Sequence, residues 1–341
     1  MKKLISIVLG IGLGACSPSP KTEEGVTIDI EKSNLKDILY SSFVDSISYI
    51  PLETNDDCLI GKIRDVILTD SIIFVLKQEQ DEILLFDRQG HYMRKIAKKG
   101  NGPGEYSIIN QMDYNEKRKS IFILASNIIE YDLFGDVKHE YKLPFYASDL
   151  YSYDNGDFLI SRFGRSGKPY TGVALVDSLG NIKENIFDKA TLNESPATAY
   201  WELIPLKDGI HFISPQPQNT IYAFRDSLVA TSVFTIEPKP VHNFEEKQPE
   251  RTHSNKDYKR TVYRESDRWV NLIYSNKDHV RTILYDKKTG QYQVGETFSN
   301  DMDERTQIFF LSASTDNTFT NYVKAENPED NPVIQILHLR N

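Results

Sequence analysis

The sequence predicts an all-β fold: a six-bladed β-propeller of four-stranded antiparallel blades, closed by its N- and C-terminal strands. Three observations carry that expectation. The first is a repeat. Phe86-Asp87-Arg88-Gln89-Gly90 ends an apolar run and returns 45 residues later as Tyr131-Asp132-Leu133-Phe134-Gly135, and after 45 more as Val176-Asp177-Ser178-Leu179-Gly180. Tyr285-Asp286-Lys287-Lys288-Thr289-Gly290 is a later copy with one extra residue. Short strands recurring at about this period are the mark of propeller blades. The second is length: Phe43 to Asn341 accommodates six units of roughly 40–50 residues each. The third is the pair of apolar runs at the two ends, Phe43 to Leu52 and Val333 to Leu339. Pairing them would close the ring and remove its free sheet edges.

In chain order, residues 1–15 read as a signal peptide. Lys2 and Lys3 supply the positive start, and Leu4 to Leu13 is an apolar run too short to span a bilayer comfortably. Leu13-Gly14-Ala15-Cys16 follows. It resembles the lipobox of bacterial lipoproteins, which makes Cys16 the expected lipidation site. Residues 16–25 then form a lipidated tether, rich in Ser, Pro and Glu. Residues 26–341 form the propeller. Val26 to Ile30 alternates like a short strand, Leu35 to Leu39 reads as a helical turn, and Phe43 to Leu52 is the closing strand, with Pro51 near its end.

The six blades are expected at about Ile63 to Ala97, Ile108 to Leu143, Tyr146 to Phe187, Tyr200 to Ile236, Tyr258 to Phe298, and Gln307 to Leu339 with the N-terminal strand. Between the copies at Asp226 and Asp286 the spacing stretches. The excess falls in Glu237 to Asp257, whose polar composition reads as a surface loop.

Composition bounds the function. The chain of 341 residues carries 49 acidic against 40 basic side chains, a formal charge of −9, which argues against general nucleic-acid binding. Its two cysteines, Cys16 and Cys58, leave Cys58 without a disulfide partner once Cys16 carries lipid.

Candidate chemistry is sparse. The Asp-x-x-Gly turns lack the dense acidic ladder of a calcium loop, and side chains accepting from turn N–H groups account for them. Gly100 to Tyr106, Gly-Asn-Gly-Pro-Gly-Glu-Tyr, lacks the strand-to-helix setting and the Lys-Ser/Thr of a phosphate loop. It reads as a blade connection whose Glu105 and Tyr106 bond loop backbone. The seven histidines form no close metal pair and no Gly-x-Ser-x-Gly elbow occurs, so no metal and no cofactor are expected. A site assembled at the central channel from separate blades would escape this reading. Asp45-Ser46-Ile47, Asp70-Ser71-Ile72, Asp177-Ser178-Leu179 and Asp226-Ser227-Leu228 resemble a bacterial O-glycosylation pattern, although Asp-Ser is also ordinary turn chemistry.

Two stretches mix basic and aromatic residues. One is the third-blade loop with Arg162, Arg165, Lys168 and Tyr170; the other runs from Lys256 to Trp269 with Arg260, Arg264 and Trp269. Guanidinium forks suit carboxylates or sulfates, and aromatic faces suit sugar rings. These seven residues are the expected ligand-binding positions. Their alternative role is a solvated loop and strand face.

Tyr49-Ile50-Pro51-Leu52-Glu53-Thr54, the Phe86-Asp87-x-x-Gly90 turn and Gly100-x-Gly102-Pro103-Gly104-Glu105-Tyr106 together resemble the bacterial six-bladed β-propeller family of secreted lipoproteins, related in fold to NHL-repeat propellers. The resemblance covers nearly all of the mature chain. It implies a propeller in the cell envelope and no established activity. The fourth blade departs from the pattern, with Phe224-Arg225-Asp226-Ser227 where Asp-x-x-Gly would stand. The expected function is therefore a lipid-anchored module of the cell envelope, an outer-membrane lipoprotein facing the periplasm or the cell surface, that binds or scaffolds a glycan, a peptide or an envelope protein. The alternative is a hydrolase or lyase at the channel mouth, marked by convergent carboxylates or histidines in the channel.

Overall fold

The computed structural model describes residues 25–31, 35–163, 172–188, 202–214, 219–238, 258–303, 305, 310, 312–314 and 317–341. These residues form six blade sheets around a common axis, with one small two-stranded sheet beside them. Blade 1 is Ile63–Leu68, Ile72–Lys77, Ile83–Asp87 and Tyr92–Ile96, hydrogen-bonded in that order. Blades 2 and 3 repeat the order from Gln111–Asn115 to Val137–Tyr141 and from Tyr146–Ser152 to Ile182–Asp188. Blade 5 does so from Lys259–Glu265 to Tyr292–Gly295. The ring closes as expected. Val44–Pro51 pairs antiparallel with Val333–Leu339, so the outermost strand of blade 6 comes from the other end of the chain.

Period-two burial explains why the strands sit where they do. In the second strand of blade 1 every residue from Ile72 to Lys77 is buried. Ile72, Phe74 and Leu76 pack toward blade 2, whereas Ile73 and Val75 pack toward blade 6. A strand covered on both faces reads as one continuous apolar run. The same division recurs around the ring, and each of the six hydrophobic clusters among the described residues fills one junction between neighbouring blades. At about 25 cal/mol per Å² of apolar surface buried, these junctions are the main stabilising term.

The Asp-x-x-Gly repeats are the hairpin turns between third and fourth strands. Asp87 Oδ1 accepts from the N–H groups of Gln89 and His91, both at 2.9 Å. Asp132 does the same for Phe134 and Asp136, and Asp177 for Leu179 and Asn181. Gly90 adopts φ 87° and its carbonyl accepts from Glu53 N–H at 2.8 Å. A Cβ there would lie 1.9 Å from the Pro51 carbonyl oxygen, so glycine is what lets the blade 1 turn meet the closing strand. The Gly100 to Tyr106 loop is held as expected. Glu105 Oε2 accepts from Gly102 N–H at 2.8 Å, and the Tyr106 hydroxyl donates to the Ile96 carbonyl at 3.3 Å.

One N-terminal reading needs correction. The helical turn expected at Leu35 to Leu39 is a short strand, Ile38–Leu39, paired with Phe298–Ser299; a 3₁₀ turn, Tyr40–Ser42, follows it. Tyr40 and Phe43 pack on Phe298 and Phe310, and that aromatic burial outweighs the local helical pattern. Val26–Asp29 is a strand, but it lies in parallel on Leu228–Glu237 as a fifth strand of blade 4. Most of the polar insertion after Glu237 lies outside the described residues.

Candidate functional site at the propeller axis

The first strand of each blade is the innermost, and these strands approach one another at the axis. They enclose a recess of about 490 Å³. Six carboxyl side chains line it. Asp70 and Glu116 are exposed, and four are set deeper in the ring: Asp65 from blade 1, Asp113 from blade 2, Asp149 from blade 3 and Glu202 at the entry to blade 4. Among the described residues Arg264 of blade 5 is the one basic residue of the lining, and Tyr114 and Tyr151 contribute aromatic wall.

Three of these acids occupy matching places. Val66 N–H donates to Asp65 Oδ1 and Leu150 N–H to Asp149 Oδ1, each at 2.8 Å. Tyr114 N–H likewise bonds Asp113. The pairing register slips next to Asp65 and next to Asp149, an irregularity of the kind that re-aims a side chain.

The second carboxyl oxygen then reaches the following blade. Asp113 Oδ2 accepts from Ser152 N–H at 2.8 Å and from its hydroxyl at 2.5 Å. Asp149 Oδ2 accepts from Leu203 N–H at 2.8 Å. Glu202 pairs with Arg264, whose Nε donates to the Phe310 carbonyl at 2.9 Å. A chain of polar contacts thus steps from blade 2 to the start of blade 6. Asp65 breaks the pattern: among the described residues its carboxyl accepts only from Val66 N–H.

Burial decides the charge state of these acids. Loss of water pushes the Asp65 carboxyl up to about 7, against the pull of Arg264 and with the added push of the Glu202 charge. Burial raises Asp113 and Glu202 as well, and it raises Asp149 well above the ordinary carboxyl range. Glu265, buried between blades 4 and 5, shows the contrast. Burial opposes its charge too, but bonds from His211 at 3.1 Å and Lys287 at 2.7 Å outweigh that and hold it low. The recess has no comparable supply of cations. Among the described residues no group of three or more His, Cys, Asp or Glu side chains is placed to hold a metal ion.

Among the described residues, the basic and aromatic positions expected from sequence do not converge. Arg162 is buried in the second strand of blade 3, donates to Asn185 Oδ1 at 2.8 Å and lies 5.7 Å from the Phe145 ring centre. Arg165, Lys168 and Tyr170, like Cys16, lie outside the described residues. Arg260 ties blade 5 to blade 4 through Asn219 Oδ1 at 2.5 Å and the Ser214 carbonyl at 2.9 Å. Trp269 is 4% exposed, packs on Phe43, and donates from its indole to the Arg340 carbonyl at 3.0 Å. Its ring is a core element between blades 5 and 6. Arg264 alone of the described five-blade and third-blade candidates reaches the recess.

The acids of the recess went unmarked in sequence because no glycine follows them and their spacing is irregular. Their one common signal is an acid directly before an apolar or aromatic residue at the start of a blade: Asp65-Val66, Asp113-Tyr114, Asp149-Leu150 and Glu202-Leu203.

Residues 25–338 match the family described as a domain of unknown function, DUF4934. Among curated proteins, none matches the sequence. The chain is similar in fold to a presumed exported protein of Bacteroides fragilis, at 17% identity and TM-score 0.76, over 93% of this chain and 100% of that one. The β-propeller domain of Cps50 (Swd1) from Myceliophteria thermophila aligns at 9% identity and TM-score 0.51, over 86% and 100%. Both likenesses concern the fold.

Proposed function

The chain belongs to the DUF4934 family, and on that premise we propose that it is a binding module of the cell envelope, tethered through Cys16, whose ligand seat is the axial recess. The ligand is a glycan, a peptide or a segment of an envelope protein presented to that end of the axis. The observation that carries the reading is the recess itself. It is concave, about 490 Å³ in volume, and lined by polar groups from several blades against apolar and aromatic wall. Pockets of that size and mixture are where small ligands and chain ends are held. The acids mostly serve the ring, since Asp113, Asp149 and Glu202 are engaged with the next blade. That favours a binding role over chemistry.

The test is a screen of glycan and peptide arrays with wild type and a Gln111→Trp variant, which places an indole at the half-buried recess wall. Binding by wild type that is lost in the folded variant supports the seat. Equal binding by both removes it. Location is tested separately: Cys16→Ser should move the protein from the membrane to the soluble fraction, and unchanged membrane association would refute the anchor.

A hydrolase or lyase at the same place is the second reading. One observation favours it: Asp65, with its carboxyl titrating near neutrality, lines the recess, and an acid of that kind can donate a proton at physiological pH. Turnover of a chromogenic glycoside or ester that disappears in Asp65→Asn would replace the binding reading.

A further inference from the structure

We infer that the recess takes a neutral, polyhydroxylated ligand, the end of a sugar chain, with the uncommitted oxygen of Asp65 as its principal polar contact and Tyr114 and Tyr151 as its flat walls. The inference rests on the binding reading above and narrows it to one ligand class.

Each other class meets an obstacle. An anion needs a cation to receive it, and Arg264 is already bonded to Glu202, Phe310 and Tyr263. A wholly apolar ligand would cover the open Asp65 oxygen and return no hydrogen bond, which is unfavourable. A cation needs carboxylates in their charged form. Burial works against that form at the four deeper acids, Asp65, Asp113, Asp149 and Glu202, so a cation would be drawn to the exposed Asp70 and Glu116 and away from the seat beside Asp65.

A sugar fits what remains. A protonated carboxyl both donates and accepts, as a hydroxyl does. Asp65 has one oxygen with no hydrogen bond among the described residues, whereas its counterparts in blades 2 and 3 have theirs committed to the next blade. Tyr114 and Tyr151 come from adjacent blades, and both are half-buried and line the recess. Tyr114 is backed by Phe74 at 4.8 Å and Tyr151 by Tyr153 at 5.0 Å, so neither ring is free to turn away. Held aromatic faces suit the C–H face of a pyranose.

The class predicts a direction with pH. The charged or titratable groups around Asp65 are Arg64 on its own strand, Arg264 and Glu202 from blades 5 and 4, and Asp149 from blade 3. Deprotonating Asp65 removes a donor and adds charge beside Glu202. Affinity for a neutral sugar should fall as pH rises from 5.5 to 8.5, and affinity for a cation should rise.

The experiment uses the full mature chain, an array of neutral oligosaccharides, and spermidine as a cationic probe. The strongest array hit is then measured by calorimetry at pH 5.5, 7.0 and 8.5. The expected result is binding of a neutral oligosaccharide, weaker at pH 8.5, and about tenfold weaker in Asp65→Ala at pH 5.5. Asp65→Ala removes a carboxyl that resists charging, so the variant should remain folded, and its melting curve checks this. Binding of spermidine alone, sensitive to Asp65→Ala, would overturn the sugar class and leave the recess standing as the seat. Absence of binding by either probe type would overturn the class, and with a hit from the peptide array blocked by Gln111→Trp the seat would still stand. A bound sugar insensitive to both Asp65→Ala and Gln111→Trp would overturn the seat and the class together.

Discussion

Two sets of repeated aspartates sit at opposite ends of the blades, and the fold treats them in opposite ways. Asp87, Asp177 and Asp286 close the outer hairpins. Turn N–H groups hold Asp87 and Asp177 below the usual carboxyl range, and the Arg268 fork does so for Asp286, down to about 2. Asp65, Asp113 and Asp149 begin the blades at the axis, where burial holds them above that range. The residue type and the blade repeat are shared. What differs is the supply of donors and water: several N–H groups or a guanidinium at the rim, and one or two N–H groups inside a closed ring. An outer aspartate stabilises the fold when charged. An inner one does so when protonated.

The largest expected effect removes the distinction altogether. Deleting Val333 to Asn341 takes away the third strand of blade 6 and leaves Val44–Pro51 without its partner. The ring should open, exposing strand edges, with aggregation or a fall in melting temperature of more than about 15 °C. A truncated protein that stays monomeric and melts unchanged would show that closure does not hold the ring.

Next comes the pH dependence, which has opposite signs for the two sets. The native Asp65 carboxyl titrates at about 7 and its unfolded counterpart near the ordinary value of 3.8. The native state therefore binds more protons between those values. Stability from this group is fully present below about pH 4 and is lost as pH rises toward 7. After screening by water in the recess the loss is on the order of 2 kcal/mol. Asp65→Asn should flatten that limb of the stability profile; an unchanged slope would mean that Asp65 is charged at little cost.

Asp286 runs the other way. Arg268 donates to both of its oxygens, at 2.9 and 2.6 Å. The stability it contributes is present above about pH 4 and is lost as pH falls through about 2. Asp286→Asn should cost about 1 kcal/mol at pH 7 in a denaturant titration. Equal stability in both proteins would count against a role for this pair. The smallest effect is expected at Asp177, on the exposed rim. Asp177→Ala should lower the melting temperature slightly and leave ligand binding untouched. A variant that abolished binding would place the ligand at the rim and away from the axis.

The contrast also explains what could be read from sequence. The outer aspartates announce themselves because each turn needs a residue at positive φ, supplied by Gly90, Gly135, Gly180 and Gly290. Asp and Gly at fixed separation survive blade after blade, so the number of blades, their order and the closing strand were all legible. The inner aspartates have no such companion. Asp65, Asp113 and Asp149 share only a place at the axis, and that place is created by six strands meeting from distant parts of the chain. Trp269 shows the converse. Beside Arg268 it resembles a surface platform in one dimension, yet it packs on Phe43 in the core between blades 5 and 6 once the ring is closed. Local composition marks the turns, whereas a site on the axis belongs to the ring as a whole.

The most direct test of the central claim is the titration of individual carboxyl groups, followed by ¹³C NMR of the folded mature chain between pH 3 and 8.5. Asp65→Asn, Asp87→Asn and Asp177→Asn variants would assign the signals. The account predicts an Asp65 midpoint near 7, with Asp87 and Asp177 below the ordinary carboxyl value of 3.8. An Asp65 midpoint at or below that ordinary value would contradict it, because the axial recess would then hold charged carboxylates at neutral pH.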